Sequence, residues 1–255
     1  MSNLAHQFRL IYRYRPVVFL HSKEIYYPSS IEYILQNSSI YHNNYRIPKQ
    51  PTKENLLKIE DEYGLPLHID IYDTCWRGQS EVNNVPMYVH IYETDKYIVG
   101  QYVFIYPYNG PFKICCKEYG SHQFDLEHIS TFINKETEEI DKIYFGAHKH
   151  YDGELVDKEN IEFILGRPVV YSALHSHGCY WKRGTFNRVC LLANDKTNRG
   201  CRWDTSRLEL LTEHTKWNNF RGKIGAERTA KYHDWYDNEE EESANCCSRI
   251  FCPCF

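Results

Sequence analysis

The chain has 255 residues, enough for one large β domain or two small ones, and its 42% hydrophobic and 25% charged content excludes wholesale disorder. Its formal net charge is −4, and five of the 34 acids but one of the 30 bases lie in residues 237–255. The remaining 29 acids and 29 bases cancel, so no basic surface for nucleic acid is expected.

Apolar runs rich in β-branched and aromatic residues recur along the chain and predict strands. They cover Val17–Leu20, Val85–Ile91, Tyr97–Tyr106, Leu126–Asn134, Ile140–Phe145 and Pro168–Ala173. Helical periodicity is confined to Ser30–Gln36, Lys158–Leu165 and Arg207–Glu213. The pattern predicts an all-β fold, an antiparallel β-sandwich with a few short helices and long loops.

The chain divides into a body and a tail. Residues 1–236 contain the strand-like runs and form the predicted sandwich domain. Residues 237–255 are acidic and rich in cysteine and have no packing pattern, which predicts a flexible tail. Within the body, residues 37–60 are polar and interrupted by prolines, which indicates a long loop or insertion.

The N-terminal residues and the cysteines predict the compartment. Arg9, Arg13 and Arg15 interrupt any apolar core of a signal peptide, and no run approaches the ~20 apolar residues of a spanning helix. Ten cysteines are too few for a disulfide scaffold in a chain of this length. We therefore expect a cytoplasmic protein without a transmembrane segment, whose body thiols are reduced and buried.

The densest polar cluster is the segment Gly120–His128. If a strand starts near Asp125, the carboxylates of Asp125 and Glu127 point to one face, and His122 reaches over that face. Such a set suits Mg²⁺, Ca²⁺ or Mn²⁺, and the imidazole shifts the preference toward Mn²⁺ or Zn²⁺. A solvated strand edge with ordinary surface charges explains the same spacing, and on spacing alone it is the favoured explanation.

Further candidate site residues lie in three other loops. His177 follows the last apolar run and forms an H-x-H pair with His175, in the kind of loop where binding residues are often found. A histidine hydrogen-bonded in a turn is the alternative for His175. His148 and Asp204 are additional candidates in polar loops. Cys179 lies near a histidine, but nothing in the sequence positions a base for a thiol nucleophile.

The tail contains a candidate lipidation signal. Its last four residues, Cys252–Phe255, have the C-a-a-X layout of a prenylated terminus, and Cys246 and Cys247 are candidates for palmitoylation. Two lipids would give stable peripheral attachment to a membrane. The acidic run upstream opposes binding to an anionic leaflet, and a metal-binding or disulfide-forming tail is the alternative.

Several of these segments, taken in order, resemble the Vps62 family of vacuolar protein sorting-associated proteins. The matching segments, which span roughly residues 14–210, are Pro16–His21, Tyr27–Tyr33, Val85–Tyr88, Phe104–Gly110, Gly120–His128, Arg167–Ala173, Ser176–Tyr180 and Asp195–Asp204. The chain departs from the family pattern at Leu126, where the usual residue is Trp. The resemblance implies a role in membrane trafficking.

The H-x-x-D-x-E core of the same segment is also similar to the heptad of necrosis- and ethylene-inducing toxin-like proteins. In those β-sandwich proteins the matching residues help to hold a divalent metal beside a lipid-glycan headgroup. The resemblance therefore implies a metal site at His122, Asp125 and Glu127. Ser121, Phe124 and Leu126 depart from that heptad.

Three hypotheses for the function follow. The first, which we prefer, is a binding module that uses a divalent cation, Mg²⁺ or Ca²⁺, to engage a membrane headgroup or glycan. The second is a metal-dependent hydrolase with Asp125 or Glu127 as base and His177 as acid or ligand. The third is a structural or adaptor protein. The Ile-, Asn-, Lys- and Tyr-heavy composition is typical of an AT-rich genome, such as that of a large DNA virus or a protist.

Overall fold

The computed structural model describes residues 4–114, 117–147, 153–187 and 194–225. Its helices are α1 (Leu4–Arg13), α2 (Ile31–Gln36) and α3 (Leu56–Tyr63). Its strands are β1 (Val17–Phe19), β2 (Ser38–His42), β3 (Tyr45–Arg46), β4 (Leu67–Ile71), β5 (Met87–Glu93), β6 (Tyr97–Asn109), β7 (Phe112–Ile114), β8 (Lys117–Tyr119), β9 (His122–Asn134), β10 (Ile140–Phe145), β11 (Glu154–Asp157), β12 (Phe163–Ile164), β13 (Arg167–Ser172), β14 (Cys179–Tyr180), β15 (Gly184–Asn187), β16 (Asn194–Thr197), β17 (Arg202–Trp203), β18 (Leu208–Leu211) and β19 (Lys223–Ile224).

A six-stranded sheet forms the middle of the molecule, in the order β11-β10-β9-β6-β5-β18. Strands β6 and β9 each have 13 residues and pair antiparallel from Tyr97 opposite Asn134 to Asn109 opposite His122. Strand β18 joins the far edge parallel to β5. The two long strands therefore run from one end of the sheet to the other, and β9 carries residues 122–128 at one end.

Apolar clusters cover both faces of this sheet. On one face, Tyr102, Phe104 and Tyr106 pack with Val18 and Trp203 of a five-stranded sheet built from β12, β13, β1, β17 and β14. On the other face, buried residues of β5, β6 and β9 pack with the four-stranded sheet β19-β4-β2-β3 and with α2 and α3. The predicted all-β sandwich is thus confirmed, with the central sheet packed on two sides rather than one.

The short helix predicted after Pro28 is present as α2. Ser30 is its N-cap, and the Ser30 hydroxyl accepts a hydrogen bond from the Tyr33 amide at 3.2 Å. The prediction of a long loop over residues 37–60 is wrong, because β2, β3 and the first turn of α3 lie there. Helix α1, which the sequence patterns did not indicate, buries Leu10 and Ile11 against the central sheet.

Two predicted helices are also wrong. Lys158–Asn160 forms one turn of 3-10 helix, and the chain then enters the hairpin β12–β13. The hairpin turn places Leu165 and Gly166 at φ 51° and 74°, which is the backbone of a tight two-residue turn. The segment Leu208–Leu211 is a strand because it pairs with β5, an interaction that local periodicity does not reveal.

Candidate functional site

Asp125 and Glu127 are buried acids on strand β9. They lie opposite Tyr106 and Phe104 of β6, whose rings belong to the apolar cluster between the central and five-stranded sheets. Because side chains alternate along a strand, both carboxylates are directed to that same face. Asp125 is 3% exposed and Glu127 is 5% exposed, so these acids lie in the core rather than at a solvated edge.

His177 is the partner of Asp125. It lies in the loop between β13 and β14, its side chain is fully buried, and its Nδ1 lies 2.8 Å from Asp125 Oδ2. Its Nε2 lies 3.2 Å from the carbonyl oxygen of Tyr26, so Nε2 must carry a proton that it donates. The imidazole is stacked on the Tyr106 ring at 3.7 Å with an interplanar angle of 3°. One further proton must lie between His177 Nδ1 and Asp125 Oδ2 to form their hydrogen bond. Whether the imidazole or the carboxyl group holds that proton, the charges of the two side chains sum to zero.

Glu24 is a further buried acid beside His177. Its Oε1 lies 4.0 Å from His177 Nε2, the ring nitrogen that does not face Asp125. Its carboxylate accepts backbone N–H groups from Ile25 and Tyr26 at 2.9 Å and from His175 at 2.6 Å. Burial by itself would raise the pKa of Glu24. The His175 side chain, the charge of His177 and these amides outweigh burial and lower it to about 2.

We call Glu24, Asp125, His175 and His177 the polar centre. The loop between β13 and β14 has an unusual backbone, with φ of 67° at His175 and 58° at His177. The left-handed region is unfavourable for residues with a Cβ, and such residues are enriched at functional sites. Here the hydrogen bonds to Glu24 and Asp125 hold both histidines in that conformation.

His122 lies at the rim of the polar centre. Its Nε2 is 3.8 Å from Asp125 Oδ1, on the opposite oxygen from the one that His177 contacts, and its side chain is 14% exposed. Phe124 between them has φ 56°, which alters the strand alternation at this end of β9. The structure therefore brings His122, Asp125 and His177 together, with the histidines on either side of the carboxylate.

Cys179 lies close to the two buried acids of β9. Burial, with the charges of Glu127 and Asp125, raises the pKa of the Cys179 thiol well above its usual value. The thiol therefore stays protonated at neutral pH. It is directed to the carbonyl oxygen of His177 at 3.9 Å. This environment opposes a nucleophilic role and suits a small packing residue.

The other predicted site residues lie elsewhere. Asp204 follows β17 and forms ion pairs with Arg167 and Arg202, which are not part of the polar centre. His148 lies outside the described residues, as do the lipidation candidates Cys246, Cys247 and Cys252. Glu24 and Tyr106 were not predicted, because a single acid in a loop and a tyrosine in a strand carry no signal of their own.

Two features are absent from the described residues. None of the helices there combines the length and the apolarity that crossing a bilayer requires. In the same ranges, no group of three or more His, Cys, Asp or Glu residues is arranged to hold a metal ion.

The model of the family described as vacuolar protein sorting-associated protein 62 matches residues 1–222, a longer span than the motifs alone indicated. Among curated proteins, none matches the chain.

Three solved structures are among those to which the chain is similar. Necrosis and ethylene inducing protein 2, from the causal agent of cocoa's witches' broom disease, is 16% identical with a TM-score of 0.39, over 71% of this chain and 69% of that one. NLPPya in complex with mannosamine is 11% identical with a TM-score of 0.44, over 83% and 76%. The non-toxic HaNLP3 protein is 12% identical with a TM-score of 0.44, over 86% and 82%.

Proposed function

The chain belongs to the Vps62 family, and we propose that it is a non-catalytic binding module in which a divalent cation at the rim of the polar centre helps to hold a hydroxyl-rich headgroup. The observation that carries the proposal is the pair His122 and Asp125, whose facing atoms are 3.8 Å apart at the end of β9. The headgroup would come from a glycolipid or from a free glycan, which share this chemistry.

The residues present fit a weakly coordinated cation. Asp125 Oδ1 and His122 Nε2 face each other, and Glu127 lies on the same strand face as Asp125. Carboxylate oxygens suit Mg²⁺ and Ca²⁺, and Mg²⁺ keeps several waters while it binds to one or two carboxylates. A site of this kind needs no cluster of three protein ligands, and ligand hydroxyls would replace the waters. When bound, the cation would supply positive charge that attracts the ligand oxygens.

The buried state of the acid–base groups favours binding over hydrolysis. A general acid or base must reach the substrate, directly or through one water. His177 is fully buried with both ring nitrogens engaged, by Asp125 and by the Tyr26 carbonyl. Glu24 is held by three backbone amides. The metal-dependent hydrolase therefore ranks second, and a purely structural or adaptor role ranks third.

A place at a membrane surface is part of the same proposal. The family description concerns vacuolar protein sorting, which supports a role in membrane trafficking. The tail cysteines Cys246, Cys247 and Cys252 would supply peripheral attachment if they are lipidated. The headgroup site and the tail would then act on the same surface, and each can be removed separately.

The cation is tested by metal analysis of the full chain after equilibration with Mg²⁺, Ca²⁺ or Mn²⁺. We expect one equivalent in the wild type, with affinity lowered at least tenfold by His122→Ala and by Asp125→Asn. His214→Ala is the matched control, because the His214 side chain is 86% exposed. Absence of a bound divalent ion in the wild type would overturn the proposal.

The source of the headgroup is tested by vesicle flotation. Phosphatidylcholine vesicles with and without a glycosylceramide are compared, with the corresponding soluble sugar as competitor. Binding that depends on the glycolipid and on the cation supports a membrane source, whereas binding of the soluble sugar alone supports a free glycan. The contribution of the tail is measured with a truncation to residues 1–236, expressed beside the full chain in a eukaryotic host. Equal flotation of the two proteins would show that the tail does not contribute to membrane binding.

A further inference from the structure

We propose that three aromatic rings beside the polar centre, Tyr26, Trp76 and Tyr108, form a platform on which one neutral pyranose ring stacks. The proposal rests on the proposed function for its class of ligand, and it assigns a second, separate contact to that ligand. All three residues are only partly buried.

The rings form a continuous ladder. Trp76 and Tyr108 are parallel, with centroids 4.2 Å apart and an interplanar angle of 3°. Tyr26 leans against Tyr108 at 5.0 Å and 58°, and the edge of His175 meets Tyr26 at 5.3 Å. Partly exposed aromatic rings beside a few polar groups are typical of the lining of small-molecule sites. The ladder connects the surface directly to the polar centre.

Backbone contacts fix Trp76 beside Tyr26. The Tyr27 amide donates to the Arg77 carbonyl at 3.0 Å, so the segment after Trp76 lies along the segment after Tyr26. Gly78 has φ 67°, and a Cβ there would lie 1.9 Å from the Tyr27 carbonyl oxygen, so only glycine fits. The Trp76 indole N–H donates to the Ile71 carbonyl at 3.2 Å. A platform fixed in this way loses little conformational entropy when a ligand binds.

Gly110 has no side chain, and this leaves room for the ladder of aromatic rings. A Cβ at this position would lie 2.4 Å from Tyr26 Cε2 and 2.9 Å from His175 Cβ. The Gly110 amide also donates to the His175 carbonyl at 2.9 Å. A side chain at position 110 would therefore separate Tyr26 and His175, the two rings that join the platform to the polar centre.

Polar groups border the platform at Tyr26. The Tyr26 amide donates to Glu24, and its carbonyl accepts from His177, so platform and polar centre share one residue. Burial, the neighbouring Tyr108 and the charges of Glu24 and Glu118 raise the pKa of Tyr26, while the charge of Arg77 lowers it. A pyranose has apolar ring faces and a polar perimeter, which matches aromatic rings bordered by hydrogen-bonding groups.

Other ligand classes fit these groups less well. A cage for a quaternary ammonium ion needs rings around an open space, whereas Trp76 and Tyr108 are in direct stacking contact. A phosphate-bearing nucleotide needs positive charge at the rings, whereas two acids, Glu24 and Glu118, act on Tyr26 against the single cation Arg77. A neutral sugar ring has neither difficulty.

The test is binding of full-length protein to an array of neutral glycans, with Trp76→Ala and Trp76→Phe beside the wild type. We expect at least one neutral hexose-containing glycan to bind, Trp76→Ala to weaken it at least tenfold, and Trp76→Phe to restore most of the affinity. Tyr45→Ala is the aromatic control, because Tyr45 is 81% exposed on β3. Urea unfolding of each variant separates loss of the ring from loss of the fold.

The result also separates the platform from the cation. If the wild type binds the metal but no neutral glycan, or if folded Trp76→Ala binds glycans as well as the wild type, the platform is overturned and the cation site stands. If the protein binds no metal but binds a glycan in a manner that depends on Trp76, the platform stands and the cation fails.

Discussion

The central sheet buries polar side chains on both faces, and the two sets have different surroundings. On the face toward the five-stranded sheet, Asp125 is bound to His177 and lies near His122. On the opposite face, His90 and His128 are buried on β5 and β9, and burial lowers the pKa of each imidazole to about 4. Glu127 and His128 are adjacent in sequence, so strand alternation alone separates these environments.

A neighbouring carboxylate changes the surroundings of a buried histidine. Beside Asp125, His177 has hydrogen-bond partners at both ring nitrogens. His128 packs near Tyr144, and its Nε2 has no hydrogen-bond partner among the described residues. The first arrangement is a fixed polar pair at a candidate site, and the second is a neutral imidazole used for packing.

The largest expected effect of a single substitution is that of breaking the polar pair. Asp125→Ala leaves His177 buried without its acid and opens a cavity, so we expect a loss of about 3–5 kcal/mol in the free energy of unfolding. Urea denaturation measures it. Glu213→Ala, at a side chain 76% exposed, is the control and should change stability by less than about 0.5 kcal/mol. A loss below about 1 kcal/mol for Asp125→Ala would show that the pair does not stabilise the fold.

The second effect is a pH dependence that arises from the opposite face. The pKa values of His90 and His128 are about 4 in the folded chain and 6.5 ordinarily, so the unfolded chain binds more protons between these limits. Stability is therefore complete above about pH 6.5 and falls as the pH drops toward 4, by about 3 kcal/mol for each histidine. Urea midpoints across this range measure the slope.

The control for this slope is a single substitution. His90→Phe removes one of the two titrating groups and should reduce the slope by about half. Glu24, whose pKa is lowered from 4.5 to about 2, stabilises the fold above pH 4.5 and loses its contribution only toward pH 2, so it affects the lower end of the range alone. An unchanged slope in His90→Phe would mean that burial does not depress the pKa of this histidine.

The third effect concerns the connection between the polar centre and the aromatic platform. Gly110→Ala forces a Cβ against Tyr26 and His175, and such overpacking costs about 1–3 kcal/mol. The same change should weaken any glycan binding that depends on Trp76. Thermal unfolding and the glycan array measure the two effects. Full stability with unchanged binding would contradict the close packing at Gly110.

The spacing of the sequence predicts part of this arrangement. Asp125 and Glu127, two residues apart in a strand, were expected on one face, and the structure places both opposite the apolar rings of β6. Their burial was not predictable, because it depends on the five-stranded sheet that covers them. The role of Glu24 was also hidden, since it depends on the His175 amide, which a loop from the other half of the chain supplies.

The errors in secondary structure have the same cause. Leu-Glu-Leu-Leu at 208–211 suits a helix or a strand equally well, and only pairing with β5 decides between them. Residues 37–60 are polar, yet Ile40 and Leu56 provide buried contacts with the second apolar cluster. Motifs taken in chain order identified the family because their residues reflect such long-range contacts. Local periodicity does not reflect them, because it depends only on residues near one another in the sequence.

The smallest expected effect is that of replacing the unpaired histidine. His128→Leu removes a buried nitrogen that lacks a partner and keeps a side chain of similar volume, so the gain from removing the polar group offsets the lost contact with Tyr144. We expect the free energy of unfolding at pH 7 to change by less than about 1 kcal/mol, far less than for Asp125→Ala. Urea denaturation of both variants in one buffer makes the comparison. A loss for His128→Leu as large as that for Asp125→Ala would show that His128 is a bonded member of a polar network, and the two faces of the sheet would then not differ in the way described.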